Sequence, residues 1–201
     1  MLEVLEPGQG GGRQGRSVNI NMQKMHCVTH EAHRQGKRVY HVDIDFRNDF
    51  NAMSQAAVWH VMNIFHMPDV DLLEQIYDNA TVRLAPNDVE SATITFDSDV
   101  AQGSITSPQL FNIFIHALLR MLMATGQNQG ISQGLQIAQS QEDSSQNADH
   151  SHQFNNIAFI DDISIFAEIP EGMQTLLNVV QEFTTWCGVE WRSTLKKLSC
   201  L

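Results

Sequence analysis

Two adjacent carboxylates, Asp161 and Asp162, interrupt the otherwise apolar stretch IAFIDDISIF at 157–166. Anions held that close repel, and partial burial adds a penalty of several kcal/mol per ion, so the pair is poor as pure structure. One reading is a solvated hairpin turn, where Asp-Asp is common. The other is a divalent-cation site of hard oxygen ligands, which needs a third carboxylate from elsewhere. The segment RVYHVDID at 38–45 offers one, because it has strand-like content and ends in acid. Asp43 and Asp45 alternate onto the same face, and Asp45, nearer the strand end, is the better placed ligand. A third constellation, VAQGSITSPQLFNIFI at 100–115, sets a Gly and several hydroxyls ahead of an apolar helix. Backbone N–H groups and the helix dipole there could face a phosphate or a base.

The elements that must position these residues follow from periodicity and punctuation. Residues 1–17, with EPGQGGGRQGRS, are too rich in Gly for a packed element and read as a flexible leader. Apolar positions from Val18 to Val28 run on into THEAHRQGK, a helix expected to end near Gly36. After the acidic strand, SQAAVWHVMNIFHM reads as a helix stopped by Pro68, and DVDLLEQIYDN as a second, short one with Asp69 as N-cap. ATVRLAP and SATITFDSD alternate with period two around NDVE, which predicts a hairpin. Residues 107–125 form a strongly apolar helix with Ser107 as N-cap and Pro108 in its first turn. A polar, low-complexity insertion covers 126–153; then 156–167 reads as two short strands hinged at the acids, and 171–187 as a helix. The order β, α, α, ββ, α, ββ, α indicates an α+β domain with an antiparallel sheet backed by helices.

Composition bounds what such a domain can do. At 201 residues and 42% hydrophobic content the chain can fill one sizeable core. A net charge of −11 opposes nucleic-acid binding through surface electrostatics, so any such function must rest on a site. Cys27, Cys187 and Cys200 lie far apart without a CxxC pair, which suits reduced thiols in an intracellular protein, cytoplasmic or nuclear. No stretch reaches the roughly 18 apolar residues of a membrane span. GGGRQGRS approaches a phosphate-binding loop with Arg16 in the Lys place, but no strand precedes it. His150 and His152 have a metal-compatible spacing, yet sit in the polar insertion without a third ligand nearby.

With these residues in place, the chain resembles the palm domain of reverse transcriptases, most closely those of non-LTR retrotransposons. DFRNDFN at 45–51 is similar to their first catalytic motif, AQGSITSPQLFNIFIHALLR to their Gln-Gly-x-x-x-Ser-Pro motif with its long helix, and FIDDISIF to their aromatic-x-Asp-Asp hairpin. LLNVVQEFTTWCGVE looks like the segment leading to their fourth motif, and GGRQGRS like a Gly-Arg-Ser element ahead of the palm. The likeness spans about residues 11–191.

The resemblance implies a ferredoxin-like polymerase palm, with residues 18–201 as the end of the fingers plus the palm. It also implies an RNA-directed DNA polymerase using Mg²⁺, with Mn²⁺ as a substitute, on template RNA, a DNA primer and dNTPs. By the same likeness Asp45, Asp161 and Asp162 are the catalytic metal ligands. Phe46, Phe50, Gln102 and Gly103 contact the nucleotide, Phe50 by excluding a 2′-hydroxyl. Lys196 or Lys197 is offered as the lysine that protonates pyrophosphate. Asp49 stands where the family usually has Ala, adding an anion beside the expected triphosphate. Basic finger strands before residue 1 and a thumb after residue 201 would complete such an enzyme. The reading from a different class is a non-catalytic retroelement remnant acting as a binding or interaction module.

Overall fold

The eight residues VYHVDIDF alternate strictly enough to dictate how the sheet is covered. Val42, Ile44 and Phe46 are buried on one side, while Asp43 is half-buried and Asp45 exposed on the other. Side chains of a strand alternate between faces, so such a segment is stable only with its apolar face against other elements. The computed structural model describes residues 9–10, 17–34, 36, 38–47, 53–78, 81–82, 94–95, 106–128 and 155–198. Within them the elements are, in chain order, α1 (Val18–Arg34), β1 (Val39–Phe46), α2 (Gln55–Ile64) and α3 (Val70–Asp78), then β2 (Thr81–Val82), β3 (Ile94–Thr95) and α4 (Ser107–Asn128). They continue with β4 (Asn156–Phe159), β5 (Asp162–Ala167), α5 (Pro170–Cys187) and β6 (Trp191–Leu198).

Four strands form one antiparallel sheet in the order β4-β5-β1-β6, and β2 pairs with β3 as a separate two-stranded ribbon. Since β1 and β4 run parallel with β5 between them, β1-α4-β4-β5-α5-β6 is a split βαβ arrangement, the ferredoxin-like core expected for a palm. The apolar face of the sheet lies under α4 and α5. Phe111, Phe114, Ile115, Leu118, Leu119 and Leu122 of α4 are almost fully buried, packed with Ile44, Ile163 and Ile165 of the sheet and with α2 and α5. Phe114 and Phe183 meet with ring centroids 5.1 Å apart. The opposite face is covered only in part: Val28 and Ala32 of α1 pack on Val39, Ile157 and Phe166. Among the described residues no other element packs over the rest of that face, where the acids stand. Among the described residues no helix is long and apolar enough to cross a membrane.

The helix boundaries have local causes. Asp69 caps α3 through its carbonyl, which accepts from Leu73 N–H at 3.1 Å. For α4 the first acceptor is the Thr106 carbonyl, 3.0 Å from Leu110 N, so the N-cap lies one residue before the expected Ser107. The helix then continues to Asn128, past the expected start of the polar insertion at 126. α5 begins at Pro170 and ends at Gly188, whose φ of +75° a glycine adopts without strain.

The helix expected to end near Gly36 runs through the whole of Val18–Arg34, and one unexpected element, β6, follows the expected order. The segment WRSTLKKL is too charged to declare itself a strand, and it becomes one by pairing along its full length with β1. At the other edge, Gln9 and Gly10 of the Gly-rich stretch pack on β4. Gln9 forms a parallel bridge with Ala158, and Gly10 N–H donates to the Ala158 carbonyl at 2.8 Å.

Because Ile165 is wholly buried between the sheet and the helices, Ile165→Ala is expected to lower unfolding free energy by about 2–5 kcal/mol. Urea denaturation followed by circular dichroism measures it.

Candidate active site

The acids are brought together by strand register. β1 and β5 pair antiparallel with Asp43 opposite Ser164 and Ile44 opposite Ile163; Asp45 and Asp162 are the next residues beyond this last pair, near enough for the Asp45 charge to act on Asp162. Ile44 and Ile163 point into the core, so Asp43, Asp45, Asp162 and Ser164 share the open face. On the other side of β1, Arg192 of β6 pairs with Asp45 and Thr194 with Asp43.

Asp161 reaches this edge through a tight turn. Phe159 pairs with Asp162, leaving Ile160 and Asp161 as a two-residue connection between β4 and β5. Such hairpins need positive φ at the first central residue to match the twist of the strands, a place normally given to Gly. Here Ile160 adopts it, at φ +59°, with its side chain half-buried against the core. A β-branched residue in that region carries strain of about 1–3 kcal/mol.

Electrostatics follow from the crowding. The Asp162 carboxyl is pushed above its ordinary value, first by burial and then by the charges of Asp161, Asp45 and Asp43. Three neighbouring carboxylates thus act on the Asp162 group. Asp43 is the one already engaged: its Oδ1 accepts from Ser164 Oγ at 2.7 Å and lies 2.7 Å from His41 Nε2. His41 is buried and stacked on Phe166, ring centroids 4.9 Å apart, which fixes the imidazole under Asp43. Asp45 and Asp162 are exposed and Asp161 half-buried. A cluster of hard anionic oxygens has the donor chemistry a divalent cation requires. Among the described residues no three His, Cys, Asp or Glu side chains close into a ligand cage; the sheet gathers the acids along one edge without converging them on a point.

Of the residues singled out from the sequence, Asp45, Asp161 and Asp162 therefore lie together. Phe46 does not join them. It is 4% exposed and belongs to the core under the sheet, because alternation turns it to the face opposite Asp45. The expectation that its side chain meets a nucleotide is corrected accordingly. Asp49, Phe50, Gln102, Gly103, His150 and His152 lie outside the described residues. Register sets Lys196 opposite His41 and Lys197 opposite Tyr40. Sequence reasoning missed His41 and Ser164 as supports of Asp43. Their signal was a period of two, each lying two residues from a site acid on its own strand.

A four-stranded antiparallel sheet with two helices on one face and a carboxylate edge on the other defines a palm-type domain. The chain belongs to the family "Reverse transcriptase (RNA-dependent DNA polymerase)", whose model matches residues 2–194. Over 187 residues it is 25% identical to the "Retrovirus-related Pol polyprotein from type-2 retrotransposable element R2DM" of Drosophila melanogaster, covering 92% of this chain and 16% of that protein. The chain thus spans about a sixth of that relative's length. Its fold is similar to apo telomerase from Candida tropicalis truncated from its C-terminal domain, with a TM-score of 0.64, 9% identity, and coverage of 94% of this chain and 36% of that one. It is also similar to telomerase from Candida albicans in complex with a fragment of telomeric RNA, with a TM-score of 0.51, 10% identity, and coverage of 90% and 30%.

The raised Asp162 carboxyl has a definite sign for stability. Its ionised form is disfavoured in the fold, so the penalty is absent below the ordinary value of 3.8 and grows as pH rises toward the raised one. In metal-free buffer at pH 7, Asp162→Asn is expected to melt above the parent, with the difference vanishing near pH 3.5. Thermal unfolding at the two pH values reads this directly.

Proposed function

We propose that this chain is the palm of an RNA-directed DNA polymerase, joining dNTPs to the 3′-hydroxyl of a DNA primer on an RNA template. The observation that supports the reading is that Asp45 and Asp162 follow the last β1–β5 pair, with Asp161 at the adjoining turn and both neighbouring charges felt by Asp162. Asp45 and Asp161 would hold two Mg²⁺ ions, with Asp162 beside them, and Mn²⁺ would serve in their place. When bound, the ions supply charge stabilisation to the attacking and leaving oxygens of an in-line displacement.

The remaining roles belong to the chain itself. β1 and β5 hold the ligands on rigid strands, and Ser164 and His41 keep Asp43 oriented beneath them. Phe50 forms a wall against the sugar that admits deoxynucleotides and rejects a 2′-hydroxyl. Gln102 and Gly103 lie against the nucleotide and template base, where Gly permits close backbone approach. Lys196 or Lys197 donates a proton to the leaving pyrophosphate.

The test is extension of a labelled DNA primer on an RNA template with Mg²⁺. Any extension by the parent chain is expected to fall at least about 100-fold in Asp45→Asn or Asp161→Asn, as loss of several kcal/mol of charge stabilisation requires. Equal extension by parent and variants would sink the polymerase reading, whereas none by the parent would favour the non-catalytic remnant instead. In the same assay, Phe50→Ala is expected to raise incorporation of ribonucleotides relative to deoxynucleotides by about tenfold or more, the scale of discrimination that a shape contact supplies.

A further inference from the structure

The turn that carries Asp161 is gripped by a residue 151 positions away in sequence. Gln9 is wholly buried, and its side-chain amide meets both polar groups of Ile160: Ile160 N–H donates to Gln9 Oε1 at 3.0 Å, and Gln9 Nε2 donates to the Ile160 carbonyl at 3.4 Å. The β4–β5 ladder ends at the Phe159–Asp162 pair, so the peptide groups of Ile160 lie beyond its reach. A primary amide offers one acceptor and a donor pair in a fixed fork, and here that fork does for Ile160 what a neighbouring strand does for an ordinary strand residue.

The backbone carrying Gln9 is itself held. Gly10 N–H and Asn21 Nδ2 both donate to the Ala158 carbonyl, at 2.8 and 2.9 Å. A Cβ at position 10 would come within 2.8 Å of Asn21 Oδ1, so a larger residue there would displace the Asn21 amide that holds the Ala158 carbonyl. Two tethers thus bring Gln9 to the one residue of the turn whose backbone is strained.

We propose that Gln9 is a positioning residue for the acidic turn: its amide clamps Ile160 in the left-handed conformation that presents Asp161 and Asp162 beside Asp45. A residue that only filled the edge of β4 would leave the turn indifferent to its replacement. The proposal rests on the reading of these aspartates as cation ligands, and the experiment separates the two. Supporting residues commonly contribute tenfold or more to the affinity of a metal site by fixing its ligands.

The test uses the 201-residue chain with Gln9→Met, Ile160→Gly and the double variant. Mn²⁺ binding is read from the free-ion signal in electron paramagnetic resonance, and stability from urea unfolding in metal-free buffer. Gln9→Met is expected to weaken Mn²⁺ binding about tenfold. In the Ile160→Gly background, where the turn holds positive φ without strain, the same change is expected to cost less than about twofold, with stability showing the same coupling. Unchanged Mn²⁺ affinity in Gln9→Met, or additive effects of the two substitutions on stability, would overturn the clamp. Were the parent to bind no Mn²⁺, the cation-site reading would fail by itself, and the metal-free stability cycle would still decide the clamp. Should Gln9→Met not fold, Gln9→Asn, one methylene too short to reach both groups, takes its place in the same comparison.

Discussion

Everything at the open edge of this sheet depends on carboxylates that repel one another yet cannot move apart. Asp45 and Asp162 sit on strands whose other faces carry Ile44 and Ile163 into the core, and the period of a strand is two. A slip of one residue would relieve the charges only by turning that apolar row to water. Burying a side chain of this size is worth about 1.5–3 kcal/mol, and the row holds several, whereas exposed charges at such separations are screened to a smaller cost each. Burial wins, and its cost shows in the Asp162 carboxyl, whose proton affinity is raised first by desolvation and then by the charges of Asp161, Asp45 and Asp43.

The support around the acids has the same logic. Asp43 accepts from Ser164 and lies against His41, which is fixed in turn by stacking on Phe166. Farther out, Asp45 and Asp162 are left exposed with their oxygens available to a ligand. Order therefore decreases outward along a single strand, from an apolar contact with α1 at Val39 to an exposed acid at Asp45. The turn at Ile160 adds backbone strain at the point where the charges meet. Strain and charge repulsion located together are a common mark of sites kept for function at some expense of stability.

Much of this was legible in the residues. The acidic strand, the apolar helix after Ser107, the hinge at Asp161 and the helix ending in Cys187 each announce themselves by period and punctuation. Phe46 was misplaced because a motif likeness attends to neighbours in sequence, while alternation sends neighbours to opposite faces. β6 escaped notice because its strand character comes from eight paired positions on β1 rather than from its own residues. Gln9 left no trace in a Gly-rich stretch, since its meaning is a pair of hydrogen bonds to a turn 151 residues later.

What the sequence determined by itself was the inventory: which segments must be buried, which acids cannot be, and the reverse transcriptase pattern they compose. Hydrophobic periodicity is a local property, and so it can be read locally. Tertiary structure alone decided which acid faces which, that Asp43 is taken up by Ser164 and His41 while Asp45 stays open, and that the acidic turn is held from the far end of the chain. Those relations are set by strand register and by side-chain contacts between distant segments, and no window along the chain contains both partners.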